Sequence, residues 1–165
     1  MAEINVPIET YPEAAQQVGI FVAHFAAIEA RLGRIFAAIL KADLRPALLV
    51  FNEIGGRRRR EVLKLLVEDQ MAPALRDRFL KFLDGPFKTC AIRRNQLVHD
   101  SWVSGPDGLR TMDQRTFKTD PMPVDQLLAW VGSVKDAHAQ LMEIEFEFET
   151  DQPWSAYEAI GKLGT

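Results

Sequence analysis

The stretch VGIFVAHFAAIEARLGRIFAAIL, Val18 to Leu40, decides how the chain is read. Within it Val18, Phe21, Phe25, Ile28, Leu32, Ile35 and Ile39 follow one another at alternating steps of three and four residues. That spacing keeps an apolar side chain on one face of every turn of an α-helix. Val22, Phe36 and Leu40 widen the stripe. A helix this long and this apolar has to pack against something extended, either sister helices or a second subunit. Just upstream, Thr10, Pro12 and Glu13 make a helix start: a hydroxyl cap, then proline and an acid in the first turn.

Downstream of the seam, Lys41 to Pro46 reads as a turn, and Ala47 to Ile54 is a short apolar segment ended by Gly55-Gly56. A helix follows from about Arg57, carrying Val62, Leu63, Leu65, Leu66 and Val67. Pro73 opens another, with Leu75, Phe79, Leu80 and Phe82, which Gly85-Pro86 breaks or kinks. Phe87 to about His99 forms the next. Trp102-Val103, the turn-like Gly105-Pro106-Asp107-Gly108 and the stretch Leu109 to Phe117 then predict an irregular β-hairpin, an insertion over about 101–119. Arg110, Arg115 and Lys118 make it locally basic, and Pro121 and Pro123 close it. The last long helix starts near Val124 and carries Leu127, Val131, Val134, His138 and Leu141 on one stripe. Residues 143–149 alternate glutamate with Ile144, Phe146 and Phe148, so a strand and a continued helix both stay open. Trp154 to Leu163 predicts a short terminal helix. The expectation is an all-α bundle of about five helices with a small β-hairpin insertion before the last long helix. It forms one domain over 1–165, with its core at about 12–148.

The composition fits such a domain: 165 residues, 47% hydrophobic and 26% charged. Cys90 is the only cysteine, which rules out an internal disulfide and favours a reducing compartment. The opening MAEINVPIETYPE has neither the basic nor the apolar region of an export signal. The most apolar stretch, Val18 to Val50, is interrupted by Glu29, Arg31, Arg34, Lys41, Asp43 and Arg45, so no membrane span is expected. A cytoplasmic location is expected. Twenty basic against 23 acidic residues leave a net charge of −3, so an anionic partner has to be held by a local patch.

One run carries suggestive chemistry: Arg94-Asn95-Gln96-Leu97-Val98-His99, at the end of a predicted helix and followed by Trp102 and the hairpin. An Arg-Asn-x-x-x-His pattern at a helix C-terminus, in a small helical bundle with a long apolar first helix, resembles the HEPN superfamily. As an architecture the resemblance covers about residues 12–148, and its specific motif is Arg94 to His99. Family members commonly have glycine after the histidine, whereas this chain has Asp100, which sets a carboxylate beside His99. The resemblance implies a metal-independent endoribonuclease in a toxin-like or defence setting. It also implies a homodimer with two motifs facing each other, and an antitoxin or other protein partner. Inactive members imply the alternative, a dimeric module that binds RNA, a nucleotide or a protein. No cofactor is implied.

Helix geometry constrains such a site. Asn95 and His99 are four apart and share a face, while Arg94 and His99 diverge by roughly 140°. The arginine therefore either uses its long side chain or reaches the histidine of a partner subunit. His99, as an imidazole, suits proton transfer with the RNA 2′-hydroxyl or the leaving 5′-oxygen. Arg94 suits the phosphate, and Asn95 suits orientation of substrate or histidine. A plainer alternative has Arg94 paired with Asp100 or a glutamate, Asn95 capping the helix end, and His99 resting against the helix dipole.

Arg57-Arg58-Arg59-Arg60 follow two glycines at a predicted helix start, where exposed cations oppose the dipole by about 0.3–1 kcal/mol each. With Arg93 and Arg110 they are the residues expected to hold an RNA backbone or another anion. A solvated face partly neutralised by Glu53 and Glu61 is the alternative. His138 is expected to be a core histidine bonded to a neighbour, and His24 to have a packing role. The three histidines are too scattered in sequence to suggest a metal site.

Overall fold

The computed structural model describes residues 4–68, 70–105 and 108–151, and these are mostly helical with a small antiparallel sheet before the last helix. The predicted terminal helix, Trp154 to Leu163, lies outside the described residues.

The apolar seam forms helix α1, Pro12–Ile39. Its first carbonyl partner is Tyr11, which accepts from the Ala15 amide at 2.9 Å, while the Thr10 hydroxyl turns back to the Pro7 carbonyl. Tyr11, not Thr10, therefore holds the capping position, because a short 3-10 turn over Ile8–Thr10 uses the threonine hydroxyl first. The helix stops in a Schellman arrangement: Ala42 donates to Ala37 at 3.1 Å and Lys41 to Ala38 at 3.0 Å, with Lys41 at φ 50.

Helix α2 spans Leu44–Glu53, so the expected turn at 41–46 is shorter than its composition suggests. Pro46 sits inside the first helical turn, where a missing N–H costs nothing. Helices α3, Gly56–Val67, and α4, Pro73–Phe82, follow. The chain does not break at Gly85-Pro86. It takes one wider π turn over Leu83–Phe87 and continues as α5, Lys88–His99.

The expected hairpin is present as β2, Ser101–Gly105, paired with β3, Gly108–Met112. Gly105 faces Gly108, whose φ of +108 suits glycine alone. The sheet is larger than a hairpin. A strand β1, Ile4–Asn5, adds to β2, and β4, Thr119–Pro121, adds to β3, all antiparallel in the order β1-β2-β3-β4. Helix α6, Val124–Asp151, follows.

The chain divides into two compact units, one of Met1–Ala26 with Gly85–His138 and one of Ala27–Asp84 with Ala139–Thr165. The first is built on Phe21, Phe25, Phe87, Leu97, Val103, Leu127, Val131 and Val134, all buried, with Phe25 stacked on Phe87 at 5.8 Å. The second buries Ile28, Leu32, Ile35, Phe36, Phe51, Leu63, Phe79, Leu141, Ile144 and Phe148. There Gly33 lets α2 come close, since a β-carbon at that position would stand 2.5 Å from Leu48. No helix among the described residues is long and apolar enough to cross a membrane.

The ambiguous segment 143–149 is helical, and its alternation of acid and apolar residues is misleading. Phe146 points outward and is 69% exposed, whereas Glu145 is 5% exposed. Glu145 is held by Arg31 and by Arg34, whose Nε lies 2.7 Å from its carboxylate. A buried carboxylate that loses its charge partners, or arginines that lose their carboxylate, are strongly penalised, while an exposed phenyl ring contributes little. Urea unfolding of Glu145→Ala is therefore expected to show a loss of about 2 kcal/mol. Phe146→Ala is expected to stay within about 0.5 kcal/mol of wild type. The reverse ranking would mean that Phe146, not Glu145, faces inward.

Candidate functional site

Helix α5 presents the Arg94–His99 run at its last turn. Leu97 is buried, and the Gln96 amide donates to the buried Thr111 hydroxyl at 3.0 Å, which ties α5 to β3. With Leu97 facing the core, Asn95, Val98 and His99 are left exposed. The helix ends at Asp100, an extended residue at φ −76 and ψ 150 whose amide still bonds to the Gln96 carbonyl, and β2 starts at the next residue. This backbone needs no glycine, so an aspartate follows the histidine without strain.

Arg94 spans the five-residue gap with its own side chain. Its Nη1 lies 3.2 Å from His99 Nε2 and 3.3 Å from Asn95 Oδ1. A guanidinium only donates, so Arg94 is the donor to His99 Nε2 in this contact. The three expected residues thus form one connected group at the surface. The arginine occupies the nitrogen lone pair that a base would use.

The surroundings of the group are acidic on one side. The Asp100 carboxyl is pushed above the ordinary carboxylate range first by burial, then by the Asp113 and Asp120 carboxylates, with His99 pulling the other way. Asp113 moves in the opposite direction, because the Thr116 and Arg115 amides donate to it and favour its charged form.

The remaining predicted cations have mixed positions. Arg93 lies in the same unit but packs on Trp130, its guanidinium carbon 5.1 Å from the ring centre, and its Nη1 is buried without a hydrogen-bond partner. Arg110 spends Nη2 on the Thr119 carbonyl at 3.3 Å and hydroxyl at 3.4 Å, bracing β3 to β4. Arg57–Arg60 belong to the other unit. Within that run Arg59 is structural: it donates to the Ile54 and Asn52 carbonyls at 2.6 and 2.9 Å, pairs with Glu29 and lies over Phe51. It thereby satisfies the carbonyls that the end of α2 leaves open. Arg60 is shared between Glu61 and Asp84, and Arg57 and Arg58 are exposed.

Two features escaped the sequence. His24 and His138 meet, Nδ1 to Nδ1 at 3.3 Å with the rings edge to face, so two of the three histidines are not scattered in space. His138 is half-buried and one of its neighbours is the other histidine, a contact between residues 114 apart that leaves no local trace. Among the described residues no three His, Cys, Asp or Glu side chains cluster as metal ligands do. The second feature is the loop after β3, where the expected strand to Phe117 stops at Met112 and Phe117 takes φ 56. Cys90, also in this unit, is buried, and burial pushes its thiol above the ordinary range against the opposing pull of Arg93.

Asp100 supplies a test of this electrostatic picture. In an unfolded chain it titrates near 4. A folded-state value above that means the contribution of Asp100 to stability is fully present below the unfolded value and is lost as pH rises through the raised one. Asp100→Asn is therefore expected to raise the unfolding midpoint at pH 7, with the advantage closing toward pH 4. Calorimetry across that range checks it, and a lowered midpoint at pH 7 would mean that the ionised carboxylate is favourably bound to His99. No protein-family model, curated protein or solved structure matches this chain.

Proposed function

We propose that this protein is a metal-independent endoribonuclease of the HEPN type, working as a homodimer in a toxin-like or defence setting. The observation that carries the reading is the contact of Arg94 with both Asn95 and His99 on an exposed helix end. The setting follows from the resemblance of the Arg94–His99 motif.

The chemistry is transesterification. The 2′-oxygen attacks the adjacent phosphorus, the bond to the 5′-oxygen breaks, and the products are a 2′,3′-cyclic phosphate and a 5′-hydroxyl. A phosphate drawn to Arg94 competes for its guanidinium and uncovers His99 Nε2, which then takes the proton of the 2′-hydroxyl. Arg94 holds the charge that builds on the non-bridging oxygens, and Asn95 orients the pair. Attacking and leaving oxygens lie on opposite sides of phosphorus, so the proton given to the 5′-oxygen comes from a second group. In a two-fold dimer that group is the second copy of His99. The exposed Ile92 and Val98, on α5 beside Asn95 and His99, are apolar surface suited to a second copy.

The acid group Asp100, Asp113 and Asp120 favours a second reading, since a negative surround discourages a phosphate. In that reading the chain is a catalytically silent dimeric module, and of its possible ligands (RNA, a nucleotide or a protein such as an antitoxin) the acids favour the protein. Incubation of the folded protein with structured and unstructured RNA in EDTA separates the two. Cleavage to 2′,3′-cyclic ends is expected, falling by about 100-fold or more in His99→Ala and in Arg94→Ala. DNA of the same sequence is expected to stay intact. Absence of cleavage by a folded dimer would leave the silent module.

A further inference from the structure

The loop between β3 and β4 holds a phenylalanine where the backbone asks for another residue. Asp113 accepts the Arg115 and Thr116 amides on its carboxylate at 2.8 and 2.9 Å, and the Phe117 amide on its carbonyl at 2.8 Å. Its own amide donates to the Lys118 carbonyl at 3.0 Å. These bonds close a tight turn whose last step is left-handed, and glycine or asparagine fits such a step best. The chain places Phe117 there at φ 56, with its ring 74% exposed. Lys41, the other non-glycine residue described with positive φ, has an ordinary explanation as a helix stop, and its long polar side chain loses nothing in water. A phenyl ring held outward by this turn leaves most of its apolar surface in water.

The ring has suitable company. Arg115 and Lys118 flank it, both exposed and neither within ion-pair distance of a carboxylate among the described residues. The acid in the loop, Asp113, accepts two amides that favour its charged form, and the Arg115 charge adds to this, which leaves Lys118 as the cation not drawn toward it. The loop is moored beside the candidate site, since the Gln114 amide donates at 3.1 Å to the hydroxyl of Ser101, two residues after His99.

We propose that the 113–118 loop is a stacking platform for an unpaired base of a single-stranded RNA, with Phe117 under the base and Arg115 and Lys118 on the neighbouring phosphates. An aromatic face between two cations matches the alternation of base and phosphate along a single strand, whereas a duplex keeps its bases stacked inside and offers the ring nothing. A purely apolar partner would leave both cations unused. The inference rests on the reading of Arg94 and His99 as an RNA site for its place in function, and its test does not depend on cleavage.

The test is binding of a fluorescent 2′-O-methyl hexanucleotide, which cannot undergo the transesterification, with 2-aminopurine at one position. Wild type is expected to bind it and quench the 2-aminopurine. Phe117→Ala is expected to weaken binding by about tenfold and abolish the quench, while Phe117→Trp keeps both. Phe117→Gly relieves the left-handed backbone, so its unfolding midpoint is expected to rise while binding falls as in Phe117→Ala. A duplex of the same sequence is expected to bind equally to wild type and Phe117→Ala. Unchanged single-strand affinity and quench in both Phe117→Ala and Phe117→Gly would overturn the proposal and assign the ring to another partner, such as a protein surface. RNA cleavage by wild type alongside that result would leave the ribonuclease reading standing. Loss of binding in a protein that never cleaves would retain the platform and sink the nuclease.

Discussion

A carboxylate that cannot be left alone sets the phase of the last helix. Glu145 is almost fully buried, and a charge in that position is tolerated only beside opposite charges, which Arg31 and Arg34 supply. Once Glu145 faces α1, a regular helix has no further rotational freedom. Ile144 and Phe148 turn into the core with it, and Phe146 turns out. In the other unit, α6 buries Val134, Val131 and Leu127, and Trp130 receives Arg93. There Arg93 and Arg94, adjacent in sequence, have different surroundings: one lies on an indole and the other reaches toward His99.

The Arg94–His99 group works against the ordinary geometry of a helix. Five residues separate its ends, so the backbone points them apart, and only the long arginine stem brings a donor to Nε2. The result is an imidazole nitrogen already engaged by the arginine. Under the proposed ribonuclease reading, phosphate and arginine attract each other more strongly than arginine and a neutral imidazole do, so the arrival of a phosphate and the uncovering of His99 Nε2 would be one event. The extended conformation of Asp100 lets β2 begin at once, and there burial raises the Asp100 carboxyl, with the acids of the sheet and its loop adding to the effect.

What could be read from the sequence was what is periodic or local. The seam from Phe21 to Ile39, the pairing of β2 with β3 and the placement of the motif at the end of a helix all rest on spacing within a few residues. Residues 143–149 stayed open between strand and helix because hydrophobicity assigns Glu145 outward and Phe146 inward, and the pairing of Glu145 with two distant arginines reverses those two assignments. The Arg57–Arg60 run looked uniform, yet Arg59 is spent on the end of α2 while Arg57 and Arg58 are exposed. No composition distinguishes them, since the difference lies in where the preceding helix stops. The same holds for His24 and His138, joined across 114 residues, and for Phe117, whose backbone conformation is decided by the hydrogen bonds of Asp113.

Cys90 gives the molecule a built-in clock. It is the only thiol in the chain, it is buried, and its environment disfavours the reactive thiolate. A thiol reagent in solution therefore reacts only during moments when the packing around residue 90 has opened. With excess reagent and fast reclosing, the labelling rate counts the population of that opening, without denaturant and without any engineered probe. Since Cys90 belongs to the unit that also holds Arg94 and His99, the count refers to that unit. The chain carries a spontaneous record of how often the surroundings of its candidate site come apart.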